Sequence, residues 1–170
     1  MSFSFYPKLI TERLTDLTPE LLHGYGIRLL MLDFDNTVIP YTTDTPDEET
    51  CAWFDRMMQS GISLCVVSNS HKMRAQDFCQ NRGIACVTRA GKPFGIGIGL
   101  AMERFLVSAK ECAFVGDQIY TDTLGANLNG VMSILVKSID NHNFWLKARH
   151  VLELPWIYAA KKRRINYEKS

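Results

Sequence analysis

Two aspartates spaced two residues apart, Asp33 and Asp35, close the apolar run Leu29-Leu30-Met31-Leu32. Ser68 and Asn69 end a second apolar run, Lys92 lies just beyond a third, and Asp117 follows Gly116 at the end of a fourth, with Asp122 shortly after. An aspartate held at the end of a buried strand suits a nucleophile that must approach phosphorus in line. Asp35, in an extended turn, can reach the same side of the loop, where it could protonate a departing alkoxide and then activate water. Carboxylates this close repel one another, so a divalent cation is expected at Asp33 and Asp35 with Asp117 as third carboxylate, while Asp122 could bind it through water or orient another ligand. All-oxygen ligation next to a phosphoryl group favours Mg2+. Ser68 can donate a hydrogen bond to a transferring phosphoryl oxygen, and Lys92 can offset its charge. Taken singly, each residue has a plainer reading as a turn, a helix cap, a loop residue or a solvated lysine. Their ordered recurrence at successive run ends points to phosphoryl chemistry.

The elements that must position them are legible as five short apolar runs, near Ile27–Asp33, Ser63–Asn69, Ile84–Thr88, Cys112–Gly116 and Met132–Lys137. Longer amphipathic segments separate them, the pattern of a parallel α/β sheet of about five strands covered by helices on both faces. Thr18-Pro19-Glu20 and Pro46-Asp47-Glu48-Glu49 carry helix-start chemistry. Further helices are expected over His71–Asn81, Phe94–Leu106 and Thr121–Asn129. Gly95, Gly97 and Gly99 weaken the first turns of one of these and do not match a dinucleotide-binding fingerprint. No linker or repeat interrupts the chain, so residues 1–170 are expected to form one domain.

The net charge of +1 gives no global attraction to nucleic acid or membrane, and no nucleic-acid partner is expected. Five cysteines without CxxC spacing, three of them inside apolar runs, read as reduced core thiols. The first ten residues lack a basic, then apolar, signal pattern, and no apolar stretch is long enough to span a bilayer. A cytoplasmic protein is expected.

At these residues the sequence resembles the haloacid dehalogenase (HAD) superfamily. Asp33-Phe34-Asp35-Asn36-Thr37, Val67-Ser68-Asn69, Lys92-Pro93 and Gly116-Asp117-Gln118-Ile119-Tyr120-Thr121-Asp122 look like the motifs of its YqeG-type branch, and the likeness runs over roughly residues 7–137. That branch includes phosphatidylglycerophosphatases and usually has glycine where Ala126 stands. The resemblance implies a HAD-like Rossmannoid fold and Mg2+-dependent phosphomonoester hydrolysis through an aspartyl-phosphate. Asp33, Asp35, Ser68 and Lys92 would be catalytic, Thr37 and Asn69 would bind substrate, and Asp33, Asp35, Asp117 and Asp122 would hold the metal. The intervals from Asp35 to Ser68 and from Ser68 to Lys92 are too short for the superfamily's cap insertions. An open site suits substrates that bring their own bulk, such as a lipid headgroup at a bilayer. About residues 142–170 form a basic, aromatic C-terminal segment, and between Lys147 and Lys169 seven basic residues face two acidic ones, a local net charge of +5. Such a segment favours an anionic phospholipid surface, which would place the protein peripherally at the inner face of the membrane; a helix packed on the sheet is the plainer reading. Phosphatidylglycerophosphate is the preferred substrate, with a sugar phosphate, a nucleotide or a phosphoprotein as alternatives. A non-catalytic phosphate- or RNA-binding module is a rival of another class, and a receiver domain would need its acid pair before a later acceptor strand.

Overall fold

The computed structural model describes residues 3–71, 73–140 and 155–159. A short strand, β1 (Leu9–Thr11), precedes helix α1 (Pro19–Gly24), whose first turn is capped by Thr18 accepting from the Leu21 N–H. The central strand β2 (Leu29–Leu32) follows, then α2 (Glu48–Gln59), capped by Asp47 accepting from the Thr50 N–H. Next come β3 (Ser63–Val67), α3 (Met73–Arg82), β4 (Ala85–Val87), α4 (Ile96–Phe105), β5 (Cys112–Gly116), a π-helical turn (Ile119–Thr123), α5 (Leu124–Leu128) and β6 (Met132–Val136).

The strands form one fully parallel sheet in the order β1-β6-β5-β2-β3-β4. It has six strands rather than about five. The addition, β1, is three residues long, half-buried, and pairs with β6 at the sheet edge. It is too short to carry a period that sequence patterning could detect. The segment expected to be one helix over 121–129 is a π-helical turn running into a short α-helix.

Alternation along each strand divides the core into two layers. Leu30, Leu32, Leu64, Val66, Ala113 and Val115 face one side, where Trp53, Phe54 and Met57 of α2 and Phe78 of α3 pack on them. Leu29, Met31, Cys65, Val67, Cys112 and Phe114 face the other, under Ile98 and Ala101 of α4 and Ala126. The Trp53 indole N–H is satisfied by the Leu17 carbonyl at 2.6 Å. All five cysteines are free thiols; Cys65, Cys79 and Cys112 are buried and Cys51 and Cys86 half-buried.

The strand order matters for chemistry. β5, β2, β3 and β4 are consecutive neighbours, so Asp117, Asp33, Ser68 and the loop bearing Lys92 leave the sheet side by side at its carboxyl edge. Among the described residues, the interval from Asp35 to Ser68 holds only a loop, α2 and β3, and that from Ser68 to Lys92 only α3, β4 and loops. Most of the basic C-terminal segment lies outside the described residues; within it, 155–159 is helical and Trp156 packs on Phe5 and Tyr6.

Candidate active site

Asp33 is the first residue beyond β2, and its N–H still donates to the Val115 carbonyl of β5, so its backbone is as rigid as the sheet. Its carboxylate is buried and accepts from the Lys92 ammonium at 2.5 Å. The same ammonium donates to Asp122 Oδ1 at 2.8 Å. Asp117, at the end of β5, is buried beside them, and oxygens of Asp33, Asp117 and Asp122 all lie within 4.8 Å of one another.

Each member is held by its own scaffold. Asp122 sits on the π-helical turn with its second oxygen accepting from the Gln118 N–H at 3.1 Å, and Thr121 donates to its first at 3.2 Å. Gly116 permits this: a Cβ there would stand 2.3 Å from Asp122 Oδ2. Asp117 accepts from the Thr37 hydroxyl at 3.5 Å and from the Ser138 hydroxyl. Lys92 is fixed by Asn69, whose amide oxygen accepts from the Lys92 N–H at 2.8 Å while its amide nitrogen donates to the Lys92 carbonyl at 3.0 Å. The Ser68 hydroxyl, buried, accepts from the Ser70 N–H at 3.1 Å.

Three carboxyl groups gather around one ammonium in a largely buried cluster, so acidic groups outnumber the cation that faces them. Burial pushes the Asp33 carboxyl up to about 7, an effect that Lys92 opposes and that Asp122 and Asp117 reinforce. Burial alone would lower the Lys92 ammonium, but Asp122 and Asp33 outweigh it and hold the group above its ordinary value. The surplus of acidic groups and the all-oxygen donor set fit a hard divalent cation. Asp33, Asp117 and Asp122 would hold it.

Asp35 is also expected among the metal ligands, and its carboxylate is placed apart from the other three acids. It lies outside the cluster and pairs instead with Arg74 Nη1 at 3.3 Å. The physical reason is the turn itself: Asn36 adopts a positive φ of 67°, and an isolated bridge joins Asp35 to Ile39, which carries the Asp35 side chain toward α3.

Two residues here had not been singled out from sequence. Arg74, in the first turn of α3, reaches back to Asp35. Ser138 follows β6 and meets Asp117, and it is brought there by Asn36, whose amide accepts from the Asp140 N–H at 2.9 Å and donates to the Asp140 carbonyl at 2.6 Å. The available signal was positional: a polar residue just past the end of β6, and an arginine soon after Ser68, both at the carboxyl edge. A groove of about 530 Å³ adjoins this corner, lined among others by Thr37, Pro40, Asp47, Lys137 and Ser138.

Residues 89–149 match the HAD-hydrolase-like family. Over 132 residues the chain is 31% identical to the probable phosphatase YqeG of Bacillus subtilis, covering 78% of this chain and 77% of that protein. The chain belongs to the HAD-like hydrolase family. It is an enzyme of that family's phosphatase class. Solved structures share the fold at low identity. A 4-nitrophenylphosphatase from Thermotoga maritima superposes with a TM-score of 0.57 at 16% identity, over 73% of this chain and 91% of that one. A cobalt-bound deoxy-D-mannose-octulosonate 8-phosphate phosphatase from Haemophilus influenzae gives 0.53 at 12% identity, over 74% and 75%.

Proposed function

We propose that this HAD phosphatase is a Mg2+-dependent phosphomonoesterase that works through an aspartyl-phosphate on Asp33. The observation that carries the reading is the rigid, buried Asp33 carboxylate, joined to Lys92 and clustered with Asp117 and Asp122. In the first step an Asp33 oxygen bonds to phosphorus, the P–O bond to the leaving group breaks, and Asp35 gives its proton to the departing alkoxide. In the second, Asp35 takes a proton from water, the water oxygen bonds to phosphorus, and the acyl-phosphate bond breaks to release inorganic phosphate. Ser68 and Lys92 stabilise the transferring oxygens. When bound at Asp33, Asp117 and Asp122, Mg2+ supplies Lewis-acid stabilisation of the phosphoryl charge. Thr37 and Asn69 line the substrate side, and their bonds to Asp117 and the Lys92 backbone also give them a positioning role.

The preferred substrate is phosphatidylglycerophosphate, and residues 1–170 act as one uncapped domain. Two features support an open site serving a headgroup at an anionic surface: no cap element among the described residues of either cap interval, and the basic C-terminal segment. The proposed association is peripheral, at the cytoplasmic face, through the basic C-terminal segment; no helix among the described residues is long and apolar enough to cross a membrane. Phosphate release across a panel tests this: the lipid in mixed micelles, a sugar phosphate, a nucleotide, a phosphoprotein and an aryl phosphate. Selective turnover of the lipid supports the assignment; preference for a soluble phosphate replaces it, and no release with any substrate rejects the catalytic reading.

A further inference from the structure

Arg74 is placed to do more than support a helix. Its side chain is largely buried; Nη1 and Nη2 hydrogen-bond to one stretch of loop, and Nε forms an ion pair there without a hydrogen bond. Nη1 donates to Asp35 Oδ1 at 3.3 Å, Nη2 donates to the carbonyls of Pro40, at 2.9 Å, and Thr43, and Nε lies 2.9 Å from Asp44 Oδ1. The guanidinium also stacks over the Phe34 ring, 5.8 Å from its centroid. Phe34 separates Asp33 from Asp35 and is itself anchored in the core against Phe78. One side chain therefore joins the fixed end of α3 to the residue between the two aspartates, to the second aspartate, and to the loop that leads away from them.

We propose that Arg74 is a positioning residue of the reaction, holding the Asp35 carboxylate in the orientation from which it exchanges its proton. Without such a tie, an aspartate in a turn samples several staggered orientations, and only one faces the leaving group. The planar fork suits this task because it can serve carboxylate and carbonyls together, which a lysine cannot. The inference rests on the reading of Asp35 as the acid/base group.

The chemistry separates this role from a purely structural one. Nitrophenolate departs without help from an acid, whereas an alkoxide needs the proton. Arg74→Met should therefore lower kcat for an alkyl phosphate by roughly 10- to 100-fold, a fraction of the ~10²–10⁴-fold that general acid–base catalysis contributes. With 4-nitrophenyl phosphate its first step should be nearly unaffected while water attack slows, giving a burst of nitrophenolate close to one per enzyme. Arg74→Lys should recover part of the alkyl-phosphate loss. The deciding measurement combines Arg74→Met with Asp35→Asn. If Arg74 acts through Asp35, the double variant is no slower than Asp35→Asn alone, within about twofold. Losses that multiply, or a nitrophenolate burst step slowed as much as alkyl-phosphate turnover, overturn the proposal. If Arg74→Met does not fold, Arg74→Lys in the same combination with Asp35→Asn decides by the same criterion. Full activity in Asp35→Asn alone would instead remove the acid/base reading beneath it, so the two failures are distinguishable.

Discussion

Gly116→Ala changes a single hydrogen to a methyl group and removes no functional atom, yet it should disable the enzyme. The backbone at Gly116 is ordinary strand, so alanine is not excluded by conformation. What excludes it is Asp122: the added Cβ would meet Oδ2 at 2.3 Å, Cγ at 2.5 Å and its Cβ at 2.6 Å. Restoring van der Waals separation requires Asp122 or β5 to shift by about 1 Å, a displacement that typically costs on the order of 100-fold in rate. Asp122 cannot swing aside freely, because Lys92, the Gln118 N–H and Thr121 all hold it. Overpacking of this kind costs about 1–3 kcal/mol, and in a domain of this size each 1 kcal/mol lowers Tm by roughly 2–4 °C. Steady-state kinetics on an aryl phosphate, paired with thermal melts with and without Mg2+, provide the assay. A fall in kcat with a weakened Mg2+-dependent rise in Tm is expected. Wild-type kcat in a protein whose melt is unchanged would refute the claim that Gly116 exists to admit Asp122.

Two neighbouring glycines should behave oppositely in the same melts: Gly99→Ala, with no atom within 4 Å of the new Cβ, should be neutral or stabilising by up to about 1 kcal/mol, whereas Gly97→Ala, which meets Ala90 at 2.4 Å, should destabilise. In metal-free protein, the raised Asp33 carboxyl means that the native state holds a proton the unfolded chain has released between about pH 4 and 7. That contribution to stability is therefore complete below about pH 4 and lost as pH rises through 7. Because Mg2+ competes with this proton, its stabilisation measured by Tm should be larger at pH 7.5 than at pH 5.5; equal shifts at both would contradict the shared site. Neutralising Lys161, Lys162, Arg163 and Arg164 should lower activity on anionic vesicles, each residue contributing roughly 1 kcal/mol to docking, and leave aryl phosphate hydrolysis unchanged. Equal loss on both substrates would assign the segment a structural role.

The sites that sequence reading located are those fixed by strand ends. Asp33, Ser68 and Asp117 each follow a continuous apolar run, and a parallel sheet obliges such residues to emerge on one edge. What it could not reach depends on loop geometry and distant packing. The Asp35 carboxylate parted from the other acids because Asn36 takes a positive φ, which a two-residue spacing does not reveal. Arg74 and Ser138 reach the site from beyond β3 and β6, and nothing in their local sequence marks that approach. The glycines at 95, 97 and 99 read alike as helix weakeners, but they have three separate reasons: Gly95 takes a φ of 82° as the N-cap of α4, Gly97 packs against Ala90, and Gly99 faces open space. β1 escaped notice because three half-buried residues gain their strand identity from β6 and not from their own pattern.

The central claim is that Asp33 becomes phosphorylated during turnover. Asp35→Asn should form the intermediate from 4-nitrophenyl phosphate but release it slowly, so acid quenching followed by peptide mass spectrometry can locate the phosphoryl group. The account predicts a hydroxylamine-labile phosphate on the peptide containing Asp33, absent when Asp33→Asn is added, and no turnover in Asp33→Asn alone. Phosphate on a different residue, or wild-type phosphate release by folded Asp33→Asn, would contradict it.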